Sequence, residues 1–187
     1  MTDLEKEFHP IRAELIGKLE GNILDVGSGT GANFEHFNAN AHVISVEPSS
    51  YMLDKAKLKL PENSTIATYN IGVNDPELEK IIKENSLDYV VCTLVLCTIP
   101  DQQLAFEKFK KWLKPTGKLI ILEHIHAEHK INRFFQNVIN PIWRVIGDGC
   151  NLNRDTDSHI KAAGFILESE QYFKRSLRFY RAVFRNQ

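Results

Sequence analysis

The chain has almost no net charge, little cysteine and no long apolar run. Its 23 Lys and Arg against 24 Asp and Glu leave a formal charge of -1. No global field therefore draws it to nucleic acid, and none is expected as a partner. No stretch approaches the roughly 20 consecutive apolar residues of a membrane span. The opening MTDLEKEFHPIRAELIGKLE is too charged for a secretory leader. Of the membrane roles, only peripheral contact stays open. Three cysteines, Cys92, Cys97 and Cys150, are an odd number without paired spacing. That argues against a disulfide scaffold and suits a reducing, cytoplasmic setting. Repeats, low-complexity tracts and linkers are absent too. The 187 residues are expected to form one domain over 1–187, as monomer or homodimer.

Apolar, strand-like runs alternate with helix-like stretches. NILDV, HVISVE, TIATYN, LDYVVCTLVL and KLIILEH read as strands. GANFEHF, SSYMLDKAKLKL, PELEKIIKEN and DQQLAFEKFKKWLK read as the helices between them, after an amino-terminal helix within 1–21. This alternation predicts an α/β fold with a doubly wound, mostly parallel sheet. The runs are rich in Val, Ile and Leu without alternation, as strands covered on both faces are. Ser49 and Asp101 stand where helix caps belong. Ala105, Phe109, Trp112 and Leu113 share one face. In KPTGK, Thr116 resists positive φ, so a type I turn is expected there. ESEQYF and RFYRAVFR lie close enough for an antiparallel hairpin, over 165–187, at a sheet edge. Residues 126–154 are too long for a simple connection and read as a lid or binding element.

The stretch ILDVGSGTGANF carries Gly27, Gly29 and Gly31 at every second position behind Asp25. Such a loop, ending one strand and opening a helix, allows a tight turn and close ligand approach. A helix start would add free amides for an anion. Glu47 ends the second strand, where a carboxylate can accept both hydroxyls of a ribose. The pattern fits a nicotinamide dinucleotide and S-adenosylmethionine alike. The acid two positions before the first glycine leans toward the latter.

The order ILDVGSGTG, VISVEPSSYML, LDYVVCTLVLCTIP and WLKPTGKLIILEH resembles the class I S-adenosylmethionine-dependent methyltransferases. More narrowly, GSGTGANF, VVCTLVLC, LEH, NPIW and GDGCNLNRD resemble the small methyltransferase-like proteins that methylate alkyl thiols. The resemblance implies a seven-stranded sheet, S-adenosylmethionine as cofactor and a small-molecule thiol as acceptor. Animal members carry an apolar amino-terminal membrane segment, which this chain is read as lacking. On this resemblance Gly27, Ser28, Gly29 and Gly31 approach the methionine part. Asp25 and Asn33 hold the loop or the cofactor's amino group. Glu47 takes the ribose, with Pro48 and Met52 near the adenine and Val73 and Asn74 at its edge. Thr93 and Leu94 pass the sulfonium. Amine or phospholipid-headgroup N-methylation is the alternative; a nicotinamide oxidoreductase and a non-catalytic binding module are more remote.

A thiol of pKa about 8.5 is already a few per cent thiolate at neutral pH, so a base gains it only about thirty-fold. An amine near 10.4 needs a gain in the thousands. His124, closing the fifth strand at the ligand-binding edge, is the candidate for that help. Asp148 in GDGC is the second catalytic candidate, although a pairing with Arg154 that closes the loop is the favoured reading of it. Glu123, His124, His126 and His129 match no strong zinc spacing, so no metal is expected. Cys92 and Cys97 read as core, with Cys97 nearer the pocket. Phe134, Phe135, Ile139, Trp143 and Ile146 read either as core packing or as cover for a substrate, a membrane or a second subunit. The cations Lys174, Arg175, Arg178, Arg181 and Arg185 read as guards of an edge hairpin.

Overall fold

A computed structural model describes residues 3–187, with side chains from residue 6 onward. Five strands run parallel: β1 (Gly21–Val26), β2 (Ala41–Val46), β3 (Ile66–Tyr69), β4 (Leu87–Thr93) and β5 (Leu113–Ile125). Two further strands, β6 (Ile166–Lys174) and β7 (Arg178–Arg185), pair antiparallel, and β7 pairs antiparallel with β5. The seven lie in the order β3-β2-β1-β4-β5-β7-β6. Chain order reverses on either side of β1, and such a switch opens a crevice at the carboxyl ends of the strands. Ile23, Leu24, Val26, Val90, Val91 and Cys92 are fully buried or nearly so, because helices cover both faces. Burying each such large apolar side chain stabilises by about 1.5–3 kcal/mol.

The covering helices are α1 (Asp3–Ile16), α2 (Ser50–Lys57), α3 (Leu78–Ile81), α4 (Gln102–Trp112), α5 (Lys130–Ile146) and α6 (Thr156–Ala162). Ser49 Oγ accepts from Met52 N at 3.4 Å and Asp101 Oδ1 accepts from Leu104 N at 3.0 Å, so both expected caps form. α4 buries Ala105, Phe106, Phe109 and Trp112 against the sheet. On the opposite face α1 sends Ile16 onto Ile23, Val43, Val91 and Ile120.

Several local expectations are corrected. GANFEHF is not an α-helix; it is a run of turns ending in one 3-10 turn, Phe34–His36. Gly27, Gly29 and Gly31 all take positive φ, and residues so placed do not nucleate a helix. The helix start expected to greet an anion is therefore missing, and the amides of Gly27, Ser28, Gly29 and Gly31 are spent within the loop and on the end of β2. β4 stops at Thr93, short of the predicted LVL, because Leu94 turns to φ 56. KPTGK sits as an irregularity inside β5: Leu87 faces Leu113, then Tyr89 faces Lys118. Thr116 is not among the positive-φ residues. PELEKIIKEN shrinks to the single turn of α3.

α5 runs against the usual pattern. Its buried residues are Gln136 and Asn140, while Ile131, Phe134, Phe135, Val138, Ile142 and Val145 are exposed. Phe134, Phe135, Ile139, Trp143 and Ile146 are all exposed, so the reading of these five as core packing is overturned. Gln136 accepts from Ala127 N at 2.7 Å and Asn140 from Leu152 N at 2.7 Å, so the polar face is what ties α5 down. No helix among the described residues is long and apolar enough to cross a membrane. On the edge hairpin, Arg181 meets Glu14 at 2.6 Å, Arg185 meets Glu168 at 3.8 Å, and Arg175 pairs with Glu7.

Candidate functional site

The site begins where β1 ends. Gly27 N and Ser28 N both donate to Val46 O, at 2.8 and 3.2 Å, folding the loop over the end of β2. The Glu47 carboxylate then holds the loop from the other side. It accepts Gly29 N at 2.9 Å on one oxygen and Ser49 N at 2.9 Å on the other. An ionised carboxylate has about four acceptor positions, so capacity remains for hydroxyls of a ligand. Beneath the loop, fully buried Asp25 accepts from Asn33 Nδ2 at 2.7 Å and from Ser45 Oγ at 3.2 Å. Asn33 Nδ2 also reaches Thr93 Oγ1 at 3.0 Å, which joins the loop to the end of β4. Burial pushes the Asp25 carboxyl up to about 6, against the pull of Asn33 and Ser45.

The three glycines do different work. A Cβ on Gly27 would meet Val95 Cγ2 at 2.1 Å, and one on Gly31 would meet the Phe34 ring at 2.9 Å. A Cβ on Gly29 would meet nothing within 4 Å, although its φ is +54°. Gly29 thus lies under open space, as a cradle for a ligand does. Beside it Ser28 Oγ is buried without a partner, and so is Asn74 Oδ1. These features fit a nucleoside cofactor. Gly29→Ala is expected to cost only about 1–2 kcal/mol of stability through its φ, but more than tenfold in cofactor affinity, since the new methyl enters the cradle. Thermal unfolding beside a calorimetric titration checks the split. Parallel losses in both would sink the cradle assignment.

Of the other cofactor candidates, Met52 is half-buried on α2, Pro48 is exposed and Val73 is buried in the main core. Asn70 Nδ2 donates to Glu47 O at 2.9 Å and Pro48 O at 3.0 Å, fixing the end of β2. Asn74 Nδ2 donates to Asp101 O at 2.9 Å. Leu94, half-buried at φ 56, donates its N–H to Leu122 O at 2.7 Å. A bulky residue there is a costly conformation, and such strain concentrates at working sites.

Three residues past Leu94 a second group of side chains begins. Fully buried Glu123 accepts from Cys97 N at 3.3 Å and from His124 N at 2.9 Å. His124 Nε2 lies 3.1 Å from Cys150 Sγ. Burial alone pulls the imidazole down, but Cys150 and Glu123 together lift it above its ordinary value. Cys97, then His124, hold the Cys150 thiol well below its ordinary value, against its burial. Burial pushes the Glu123 carboxyl up. The GDGC loop is stitched to Cys97, whose carbonyl accepts Asn151 N at 3.1 Å and Asn151 Nδ2 at 2.9 Å.

The expected Asp148–Arg154 pairing does not form. Arg154 Nη1 donates instead to Leu96 O at 2.7 Å and Ile99 O at 2.5 Å, stapling the turn after β4. Asp148 is exposed at φ 49 and has no hydrogen-bond partner among the described residues. The residue of this loop that meets His124 is Cys150, two positions on. The chain pattern had signalled Cys97 and Cys150 only as separate thiols, 53 positions apart, and Arg154 only as a partner of Asp148. A groove of ≈ 580 Å³ runs between α5 and the hairpin, with Phe135, Ile139, Leu152, Phe173 and Leu177 in its walls; Cys97, Glu123, His124 and Cys150 do not line it.

The strand order β3-β2-β1-β4-β5-β7-β6, with a glycine cradle and a strand-end acid at the carboxyl ends of its parallel strands, is class I methyltransferase architecture. Residues 24–121 match the family model described as a methyltransferase domain. The chain belongs to that methyltransferase family. It is 33% identical over 162 residues to the human thiol S-methyltransferase TMT1A, covering 86% of this chain and 66% of that protein. It is 36% identical over 149 residues to the mouse thiol S-methyltransferase TMT1B, covering 78% of this chain and 61% of that protein. It thus spans about two thirds or less of the length of these relatives. In fold it superposes on the YcgJ protein from Bacillus subtilis with a TM-score of 0.72 at 12% identity, over 100% of both chains. An S-adenosylmethionine-dependent methyltransferase from Mesorhizobium loti follows with a TM-score of 0.68 at 17% identity, over 94% of this chain and 96% of that one.

Proposed function

We propose that this chain binds S-adenosylmethionine in the glycine cradle and methylates the sulfur of a small, apolar thiol. The observation that carries the reading is continuity. Thr93 belongs to the cradle through Asn33, and it pairs with Leu122 of β5, two residues before His124. The cradle and the cysteine–histidine group therefore share the ends of β4 and β5. The similarity to thiol S-methyltransferases supports the choice of acceptor.

When bound, S-adenosylmethionine supplies an electrophilic methyl group on a sulfonium. Glu47 would take the ribose, Gly29 would leave room for the methionine end, Ser28 Oγ would offer it a free hydroxyl, and Pro48, Met52, Val73 and Asn74 would border the adenine. Alignment of two reactants in such a site supplies up to roughly 7–11 kcal/mol of a barrier. His124 receives or orients the acceptor's proton, a modest task for a thiol. Asp148, exposed at the loop tip, is the second candidate to assist the acceptor. The groove beside α5 accommodates an apolar acceptor.

Calorimetric titration with S-adenosylmethionine, followed by a panel of alkyl thiols and amines assayed for release of S-adenosylhomocysteine, tests this. Thiol-dependent release is expected. Release with amines alone would replace the reading by N-methylation.

The outward apolar face of α5 adds peripheral contact with a bilayer. Lys174 and Arg178 line the same groove as Phe135 and Ile139, so cations flank the apolar strip as anionic headgroups require. Phe134→Ser with Val138→Ser is expected to cut co-sedimentation with anionic vesicles at least about fivefold, for a face of this kind. Unchanged sedimentation, with a dimer that dissociates in the variant, would assign the face to a second copy instead. The three free cysteines support a reducing compartment such as the cytoplasm.

A further inference from the structure

We propose that Cys97, His124 and Cys150 form a three-ligand site for a soft divalent metal, zinc in the first instance, whose fourth position takes the acceptor thiol. The inference rests on the thiol-methylation reading above and names how the acceptor is bound.

The ligand atoms of these three residues all lie within 4.8 Å of one another. They come from three separate pieces of chain: the turn after β4, the end of β5 and the GDGC loop. Two thiolates and one imidazole are a donor set that selects zinc over magnesium or calcium. Three protein ligands with one open position are the pattern of a catalytic zinc, whereas structural sites close all four. Tetrahedral bonds of about 2.3 Å to sulfur and about 2.0 Å to nitrogen put neighbouring ligand atoms roughly 3.6 Å apart. His124 Nε2 and Cys150 Sγ stand 3.1 Å apart, so they need to open by only about 0.5 Å on that geometry.

The surroundings hold the ligands in place. One buried carboxylate, Glu123, accepts the backbone N–H of both Cys97 and His124. Asn151, next to Cys150, bonds twice to the Cys97 carbonyl. The backbone of the ligands is thus fixed by groups that do not themselves touch the ion, while His124 Nδ1 is buried without a partner. A dication would also balance the negative charge that two thiolates add beside Glu123. The cation coupled to Cys97, Glu123 and Cys150 is Arg154, whose Nη1 is bound to the Leu96 and Ile99 carbonyls.

In this arrangement His124 is a ligand and the metal replaces the base. The acceptor R–SH binds as its thiolate and its proton passes to solvent, because coordination deprotonates a thiol outright. Metal binding likewise releases the protons of Cys97 and Cys150.

Cobalt(II) titration of the chelator-stripped full chain tests this without any turnover. One ion per chain is expected, with a thiolate-to-cobalt charge-transfer band and the visible bands of a four-coordinate ion, all bleached by zinc. Adding a simple alkyl thiol should shift the visible bands, since three protein ligands leave a tetrahedral ion one further position. Cys150→Ser, a change at a half-buried residue, should weaken cobalt by more than the roughly 10–100-fold that losing a supporting group costs. It should also lose part of the charge-transfer intensity. The other three-ligand group among the described residues, His9, Glu35 and His36, carries no sulfur and cannot give that band. Absence of the band while Cys97 and Cys150 titrate as free thiols overturns the proposal, and so does a band that survives Cys150→Ser unchanged. Titrating S-adenosylmethionine into the same sample separates the two readings. Cofactor binding without a cobalt band removes the metal and leaves the methyltransferase. A cobalt band without cofactor binding does the reverse.

Discussion

Glu47→Ala should lower the affinity for S-adenosylmethionine by about 100-fold or more. The residue has two duties, and alanine ends both. Its carboxylate holds Gly29 N and Ser49 N, each at 2.9 Å. Hydrogen bonds to a charged group contribute about 1.5–3 kcal/mol each. Losing both frees the loop over the cradle and removes the acceptor for the ribose at once. Some of that loss appears as stability, and the remainder as affinity. At about 1.4 kcal/mol per decade, a share of 3 kcal/mol already gives two decades. Glu47→Gln should lie between, since one amide oxygen can serve only one side. Calorimetric titration of the three proteins, with thermal unfolding in parallel, reads the partition. An affinity within about threefold of the parent would remove Glu47 from the cradle.

The parts that depend on pattern were legible beforehand. Strand and helix alternate visibly, and the caps Ser49 and Asp101 are local signals that the structure bears out. The antiparallel hairpin followed from two β-rich runs with no room for a crossover. What pattern could not give were features set by the third dimension. GANFEHF reads as a helix, but positive φ at three glycines stops it, and a buried Asp25 draws in the side chain of Asn33. α5 has an amphipathic period, yet no period says which face turns inward. Here two amides supply specific bonds to backbone and win over the apolar strip. Cys97 and Cys150 meet because Asn151 and Arg154 fasten one loop to another, a contact with no sequence spacing to announce it. Asp148, flanked by glycines, reads as a catalytic candidate or as a partner of Arg154, and the pairing does not form. The glycines instead serve a turn that delivers Cys150.

Asp25→Asn should make the protein more stable above pH 6 and a poorer binder of its cofactor. The carboxyl is completely buried, and that burial raises it from 3.8 to about 6. The sign follows from proton counts. Between pH 4 and 6 the folded state still holds a proton that the unfolded chain has lost. Stability from this group therefore falls as pH rises through that window, and the cost is complete above it. The gap corresponds to about 3 kcal/mol. Asparagine has the same shape and no charge to bury. It can accept from Asn33, while the Ser45 hydroxyl turns to accept in its place. In a domain of this size about 1 kcal/mol moves the melting temperature by roughly 2–4 °C. A rise of about 6–12 °C at pH 8 that shrinks toward zero near pH 4 is thus the expected result. A difference independent of pH would show that the carboxyl is not ionised at a cost. The same charge strengthens the bond to Asn33 Nδ2, which ties the glycine loop to Thr93. Weakening that bond loosens the cradle, so affinity should fall while stability rises. A buried charge that destabilises the fold yet sits under the ligand loop is what a trade of stability for function looks like at one residue.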